Sequence, residues 1–145
     1  MQLVPVHRRL PRAGIDPICD ADTAFVTISM AVDRPLRHET IVVLLDDGRC
    51  GISLVAVSGT RHPDAGVEVL DTLLDAVVGD GVVGAVIVAS VRPSEDPFHD
   101  DGRDIDRWLE MSDLAEQRGI ELLEWFVIAD DVSCPRDQLG EPPRW

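Results

Sequence analysis

Residues 85–106 read AVIVASVRPSEDPFHDDGRDID and change character twice within a short distance. The first seven residues are small or apolar and predict a buried β-strand. This strand ends at Arg92 and Pro93, an acidic loop follows, and a helix is predicted to begin near Asp104. A strand, a polar loop and a helix N-terminus in this order form a common site architecture, because the loop lies over free helix N–H groups.

Apolar and β-branched runs elsewhere in the chain predict further strands. The run at residues 40–45 is almost continuously apolar, which is typical of a central strand buried on both faces. Residues 46–49 contain an Asp-Gly pair, a hairpin turn signal that leads into an antiparallel partner strand. The strands are predicted at residues 24–31, 40–45, 50–57, 85–91 and 120–128.

Two helices are predicted from apolar residues at helical spacing. The first covers residues 63–78, begins at Pro63 and ends at Gly79 or Gly81, and the second covers residues 104–118. Their apolar faces consist of Val67, Val69, Leu70, Leu73, Leu74, Val77 and Val78 in the first, and Ile105, Trp108, Leu109, Met111 and Ala115 in the second. Strands combined with amphipathic helices predict an α/β fold with a mixed β-sheet flanked by helices.

The length and composition indicate one domain. The chain has 145 residues, of which 45% are hydrophobic, and this is enough to form a core. We divide it into an N-terminal extension (1–23), a domain (24–134) and an irregular, proline-containing C-terminal tail (135–145). Two roles are open for the terminal Trp145: docking on the domain, or anchoring a protein partner.

The charge limits the classes of partner. The formal net charge is −14, which repels nucleic acid and anionic membrane surfaces, so we expect neither as a partner. No apolar run is long enough to span a bilayer, and residues 1–14 lack the apolar segment of a secretory signal. The three cysteines form no Cys-x-x-Cys pair and are expected to be reduced, mostly buried thiols rather than a zinc site. We therefore expect a cytoplasmic protein.

Several motifs resemble the RadC branch of the JAB/MPN (JAMM) metalloprotease-like domains, from Glu39 to about Cys134. This family has a Glu before an apolar strand, a Gly-Thr turn before a helix, and His-Asn-His-Pro-Ser-Gly-Asp-Pro after the next strand. The matching residues here are Glu39, Gly59, Thr60, Pro93, Ser94, Asp96, Pro97, Gly119, Ile120, Leu122, Leu123 and Glu124. The resemblance implies the JAB/MPN fold, a cytidine-deaminase-like mixed β-sheet flanked by helices.

The resemblance also implies a site that has lost its metal ligands. In active members two His and an Asp bind zinc, and a Glu activates the bound water. Here the two His positions are Ser90 and Arg92, and the Asp falls on Arg103, or on Asp104 if one residue is inserted. Neither Ser nor Arg is a zinc ligand in practice, and Arg carries a fixed positive charge. The implied vestigial site consists of Glu39, Ser90, Arg92, Ser94 and Asp104, with no catalytic residue, zinc or other cofactor expected.

Two hypotheses concern charges near this site. The first is that the guanidinium of Arg92 fills the place of the lost metal and pairs with Glu39; the alternative is an exposed loop arginine. The second is that His99, Asp101 and Asp104 form a displaced metal site. The simpler interpretation of these residues is a solvated acidic loop and a helix N-cap.

Three functions are consistent with this sequence. The leading interpretation is a catalytically inactive, metal-free JAB/RadC-like domain that binds a protein partner or has a regulatory role. The second is a divalent-metal-dependent hydrolase with a rearranged site of Glu39, His99 and Asp104, in which zinc would be the cofactor. The third is a nucleic-acid-associated protein, which the net charge disfavours. A homodimer paired through edge strands is an open alternative.

Overall fold

The computed structural model describes residues 10–93 and 101–145. In these residues the chain forms five strands and four α-helices, with a 3-10 turn at Val78–Asp80. The strands are β1 (Glu39–Leu45), β2 (Gly51–Ser58), β3 (Ala85–Val91), β4 (Glu121–Ile128) and β5 (Val132–Ser133). The helices are α1 (Ala21–Ser29), α2 (Ala65–Val77), α3 (Asp104–Glu116) and α4 (Pro135–Leu139).

The described strands form one mixed sheet in the order β2-β1-β3-β4-β5. Strands β3 and β4 are parallel, and the other neighbours are antiparallel. The predicted α/β fold with a mixed sheet flanked by helices is therefore confirmed. Strand β1 is buried along its whole length, as its continuous apolar sequence predicted.

Two separate cores lie on the two faces of the sheet. Alternate residues of a strand point to opposite faces, so Ile41 and Val43 pack with α1 residues, whereas Val42 and Leu44 pack with α2 and α3 residues. We call these the α1 face and the α2/α3 face. Every side chain of β1 is therefore assigned to one face by its position in the strand, whereas β4 contains a register shift between Leu122 and Glu124.

The strand predicted at residues 24–31 is wrong, because this segment is helix α1. Asp20 caps the helix: its side chain accepts a hydrogen bond from the Thr23 N–H at 2.7 Å. Ala24 and Ile28, which are four residues apart, are fully buried against the sheet. Helical burial of these two side chains outweighs the β-propensity of the branched residues between them, since β-propensity depends strongly on context.

Two further details of the helices differ from the prediction, and one agrees with it. Val78 was assigned to the apolar face of α2, but it begins the 3-10 turn and is 42% exposed. Gly81, with φ +66°, ends that turn, as one of the two predicted stops. Leu109 of α3 is exposed, whereas its neighbour Arg107 is buried. The burial of Arg107 is explained by its ion pairs, described below.

The segments before and after residues 24–134 contact the rest of the fold. Ile18 is buried in the core of the α1 face, and the Gly14 N–H donates to the Gly51 carbonyl at 3.1 Å. The tail predicted to be irregular contains helix α4, and Trp145 packs against the α1-face core. None of the helices in the described ranges combines the length and apolar character that a membrane crossing requires.

Candidate functional site

A cleft of about 520 Å³ lies where β3 and β4 end and α3 begins. Arg92 and Asp104 line one part of it, and Asp130, Asp131 and Ser133 line another. This is the strand–loop–helix position that the sequence marked as a site. The chemistry available there depends on how the charged groups in the cleft are paired.

Arg92 is buried at the edge of this cleft, with 5% of its surface exposed. Its guanidinium donates to both carboxylate oxygens of Asp104, at 2.8 and 3.1 Å, and to the Pro63 carbonyl at 3.3 Å. The same group lies over the ring of Trp125, 5.6 Å from the centroid. A carboxylate that accepts two hydrogen bonds, together with an aromatic face, stabilises a buried guanidinium well.

Asp104 is shared with a second buried arginine. Arg107 donates to Asp104 at 3.0 Å, to Asp64 at 2.7 Å and to both oxygens of Asp101 at 2.6 and 2.5 Å. We call Arg92, Arg107, Asp64, Asp101 and Asp104 the arginine–aspartate cluster. It joins the end of β3, the residue before α2 and the start of α3 through charge-assisted hydrogen bonds.

Three members of the cluster, Asp64, Asp101 and Arg107, have shifted pKa values. Hydrogen bonds from Arg107 lower the pKa of Asp101 well below its usual range, and the same donor lowers the pKa of Asp64. The hydrogen bond to Asp101 in turn raises the pKa of Arg107, despite the opposing effect of burial. These groups are therefore fixed in their charged forms at neutral pH.

Ser90 takes part in a different contact on the same face of the sheet. Its hydroxyl oxygen accepts a hydrogen bond from the Trp125 indole N–H at 3.0 Å, and the residue is buried. A side chain at Gly66 would bring its Cβ within 3.0 Å of this oxygen, so α2 packs closely over Ser90. The contact gives the hydroxyl a structural role that satisfies a buried indole donor.

The predicted pair of Arg92 with Glu39 is wrong. Glu39 is 4% exposed and its carboxylate accepts from the Asp33 N–H at 3.3 Å. It begins β1 opposite Val91 and lies on the α1 face, with the odd-numbered residues of that strand. Arg92 contacts Trp125 and Asp104 on the α2/α3 face instead. The sheet therefore separates the two side chains, because consecutive residues point to opposite faces.

The structure brings together three of the five implied vestigial residues. Ser90, Arg92 and Asp104 lie on the α2/α3 face around Trp125, whereas Glu39 is on the other face. Ser94 and His99 lie outside the described residues, so the displaced metal site of His99, Asp101 and Asp104 stays a prediction. Within the described ranges, no three His, Cys, Asp or Glu side chains are grouped as metal ligands.

Arg107 and Asp64 are site residues that the sequence interpretation missed. They are 43 positions apart, and only the fold brings them into contact. One signal was available: Asp104 and Arg107 are spaced i,i+3, which places them side by side on a helix. No protein-family model matches the chain, and no curated protein sequence matches it.

Proposed function

We propose that the chain is a metal-free, RadC-like JAB/MPN domain that serves as a protein-binding or regulatory module rather than as a hydrolase. The observation that carries this proposal is the pair between Arg92 and Asp104 at 2.8 and 3.1 Å. In the resemblance Arg92 stands at the second His position, and Asp104 stands at the Asp position when one residue is inserted. A fixed cation therefore lies against the carboxylate that would otherwise hold the metal.

Electrostatics explain why such a replacement is stable. A carboxylate that loses its metal in a buried site leaves an uncompensated charge, which costs several kcal/mol. The guanidinium of Arg92 supplies the missing positive charge and two well-directed donors. Arg107 adds a second cation, which donates to the Oδ1 of Asp104 that also accepts from Arg92. A zinc ion entering this position would have to displace both arginines and would be repelled by them.

The rearranged hydrolase has less support. It requires Glu39 to act together with Asp104, but Glu39 lies on the α1 face and Asp104 contacts the α2/α3 face. A general base must reach the bound water within hydrogen-bonding distance. The net charge of −14 favours a basic protein as the partner of the inactive domain and disfavours nucleic acid.

Restoring the family's ligand set tests this proposal. The double variant Ser90→His, Arg92→His keeps Asp104 and replaces the cation with two imidazoles. We expect this variant to bind about one zinc per chain, since two His and one Asp form an open zinc site, and the wild type to bind none. Adding Asp104→Asn to the double variant is the matched control and should abolish the zinc. A folded double variant that binds no zinc would count against the proposed origin of the site.

A further inference from the structure

Residues 142–145 (Pro-Pro-Arg-Trp), which we call the Arg-Trp segment, are attached to the fold through side chains. Among the described residues, no backbone hydrogen bond joins this segment to the rest of the chain. Glu141, the residue before it, is held by α4: its N–H donates to the Arg136 carbonyl at 3.1 Å, and the Arg136 guanidinium donates to its carbonyl. The segment can therefore leave its place while Glu141 and α4 stay in theirs.

The guanidinium of Arg144 is bound by four groups outside the segment. It donates to the Leu122 carbonyl at 2.9 Å, to the Ser112 hydroxyl oxygen at 3.2 Å and to the Glu141 carboxylate at 2.6 Å. It also lies over the ring of Trp108, 4.4 Å from the centroid. A carboxylate, two further acceptors and an aromatic face together recognise a planar guanidinium, whereas a lysine ammonium cannot satisfy all four.

Trp145 lies on the other face of the sheet. It packs against the core of the α1 face, whereas Trp108 belongs to the core of the α2/α3 face. Arg144 and Trp145 therefore hold the beginning of β4 from its two sides, as consecutive residues of an added strand would. In the described ranges no strand pairs with the outer edge of β4 there, because β5 pairs only with Val127 and Ile128.

The indole N–H of Trp145 adds no hydrogen bond to this docking. It is buried, and no atom of the described residues accepts from it. A buried donor without a partner weakens the contact that contains it. The surface under Trp145 therefore selects an aromatic ring and not the indole donor.

A cleft of about 510 Å³ lies beside Arg144 in the described part of the fold. Ser112 and Leu122, which bind the guanidinium, also line this cleft, together with Glu116 and Glu121. The chain's own segment thus fills only part of the space around these residues. Carboxylates next to an arginine site favour a partner that carries further basic residues.

We propose that this site binds an extended peptide of a partner protein in which an arginine precedes an aromatic residue, and that the Arg-Trp segment occupies it as an intramolecular ligand. The groups that bind Arg144 belong to α3, β4 and the residue held by α4, so a partner peptide meets them once the segment leaves. The inference rests on the proposed protein-binding role but not on the loss of a metal. The site lies at the beginning of β4, whereas Arg92 follows the end of β3, its parallel neighbour.

Vacating the site in the full-length chain tests the proposal. The double variant Arg144→Ala, Trp145→Ala removes the two side chains that fill the site and keeps every residue that lines it. We expect a labelled Pro-Pro-Arg-Trp peptide to bind this variant in a fluorescence anisotropy titration. The wild type should bind it about tenfold more weakly, because its own segment competes at an effective concentration in the millimolar range.

Peptide variants and a matched control test the recognition itself. A Pro-Pro-Lys-Trp peptide should bind the vacated variant about tenfold more weakly, because an ammonium loses part of the guanidinium's hydrogen bonds. Phenylalanine in place of the tryptophan should preserve binding. Arg118→Ala is the control, since Arg118 pairs with Asp71 and Asp75 and its removal leaves the Arg-Trp segment seated. This variant should bind the peptide as weakly as the wild type does.

Arg144→Ala alone keeps Trp145 in place and answers the question if the double variant does not fold. N-acetylarginine amide should shift the NMR signal of the Trp108 indole N–H in this variant and not in the wild type. No shift there, or no peptide binding by a folded double variant, would overturn the proposal. Equal affinity of the wild type and the vacated variant would overturn the intramolecular occupancy. Neither variant changes Arg92 or Asp104, so the zinc test of the proposed function is independent of these results.

Discussion

The guanidinium of Arg92 donates two hydrogen bonds to the carboxylate of Asp104, joining the end of β3 to the first turn of α3. Neither residue is fully accessible to water: the Arg92 side chain is 7% exposed and that of Asp104 is 17% exposed. Because the pair is desolvated, each partner depends on the other for its stability. This dependence leads to the first prediction.

Arg92→Ala should lower the free energy of unfolding by about 3 kcal/mol, because it leaves a partly buried carboxylate without this partner. Arg92→Met, which keeps most of the side-chain volume, should still lose stability as long as Asp104 is present. Combining Arg92→Met with Asp104→Leu should recover much of the loss, since an apolar pair can replace a buried ion pair. Urea unfolding of the four proteins measures these differences. Arg37→Ala, at an exposed pair with Asp33, is the control and should cause no measurable loss.

Stability should fall at acid pH through the arginine–aspartate cluster. Arg107 lowers the pKa of Asp101 and of Asp64 in the folded state. A depressed folded pKa contributes stability above the unfolded value, about 3.9 for Asp, and this contribution is lost as the pH falls toward the folded pKa. The melting temperature should therefore be steady above about pH 5 and decline below about pH 4. Asp101→Asn should flatten this decline; an unchanged slope would show that Asp101 does not contribute.

Removing the ion-pair partner of the fully buried Glu124 should cost more stability than removing the partner of an exposed carboxylate. It accepts a hydrogen bond from Arg136 of α4 at 2.9 Å, and this ties the C-terminal segment to β4. Arg136→Ala should cost about 3–5 kcal/mol, the range for breaking one side of a buried pair. Arg118→Ala provides the comparison, since Arg118 pairs with the more exposed Asp71 and Asp75 and should cost less. Equal losses would contradict the structural role of α4.

Trp145 should contribute to stability, because it packs against the core of the α1 face. The preceding residue is also held, with the Arg144 guanidinium 4.4 Å from the centroid of the Trp108 ring. Trp145→Ala should cost about 2 kcal/mol, less than the 3–5 typical of a fully buried aromatic, since Trp145 is only partly buried. Thermal unfolding measures the loss. A melting temperature equal to that of the wild type would instead support the role of a free anchor.

The three cysteines should differ in reactivity. Burial raises the pKa of Cys134 to about 12, and burial also raises the pKa of Cys50. Cys19 is exposed. Because the thiolate is the reactive form, iodoacetamide at mildly alkaline pH should label Cys19 first and leave Cys134 unlabelled until the protein unfolds. Mass spectrometry of tryptic peptides gives the order, and early labelling of Cys134 would contradict its burial.

The sequence predicted the sheet better than it predicted the site. Strand β3 was predicted with its exact bounds, because an apolar run bounded by polar residues leaves few alternatives. The segment at 24–31 was misassigned because its β-branched residues suggested a strand, while the Asp20 cap and the i,i+4 spacing of Ala24 and Ile28 indicated a helix. The local residue propensity there favoured a strand and the spacing of the apolar residues favoured a helix. The segment is a helix because this conformation packs Ala24 and Ile28 against the sheet.

The partner of Arg92 could not be predicted from local sequence. Arg92 and Glu39 are close along the ladder, since Glu39 is opposite Val91, but the one-residue offset places them on different faces. Only the register between β1 and β3 reveals this offset. Asp64 joins the cluster through the packing of α2 against α3, which no local pattern encodes.

Zinc content is the measurement that tests the central claim most directly. The tag-free protein should be loaded with zinc, freed of excess metal, and examined by elemental analysis and by thermal unfolding with and without zinc. If Arg92 fills the metal position, the wild type should hold no stoichiometric zinc and show no shift in melting temperature. About one zinc per chain, lost in Asp104→Asn, would contradict the account.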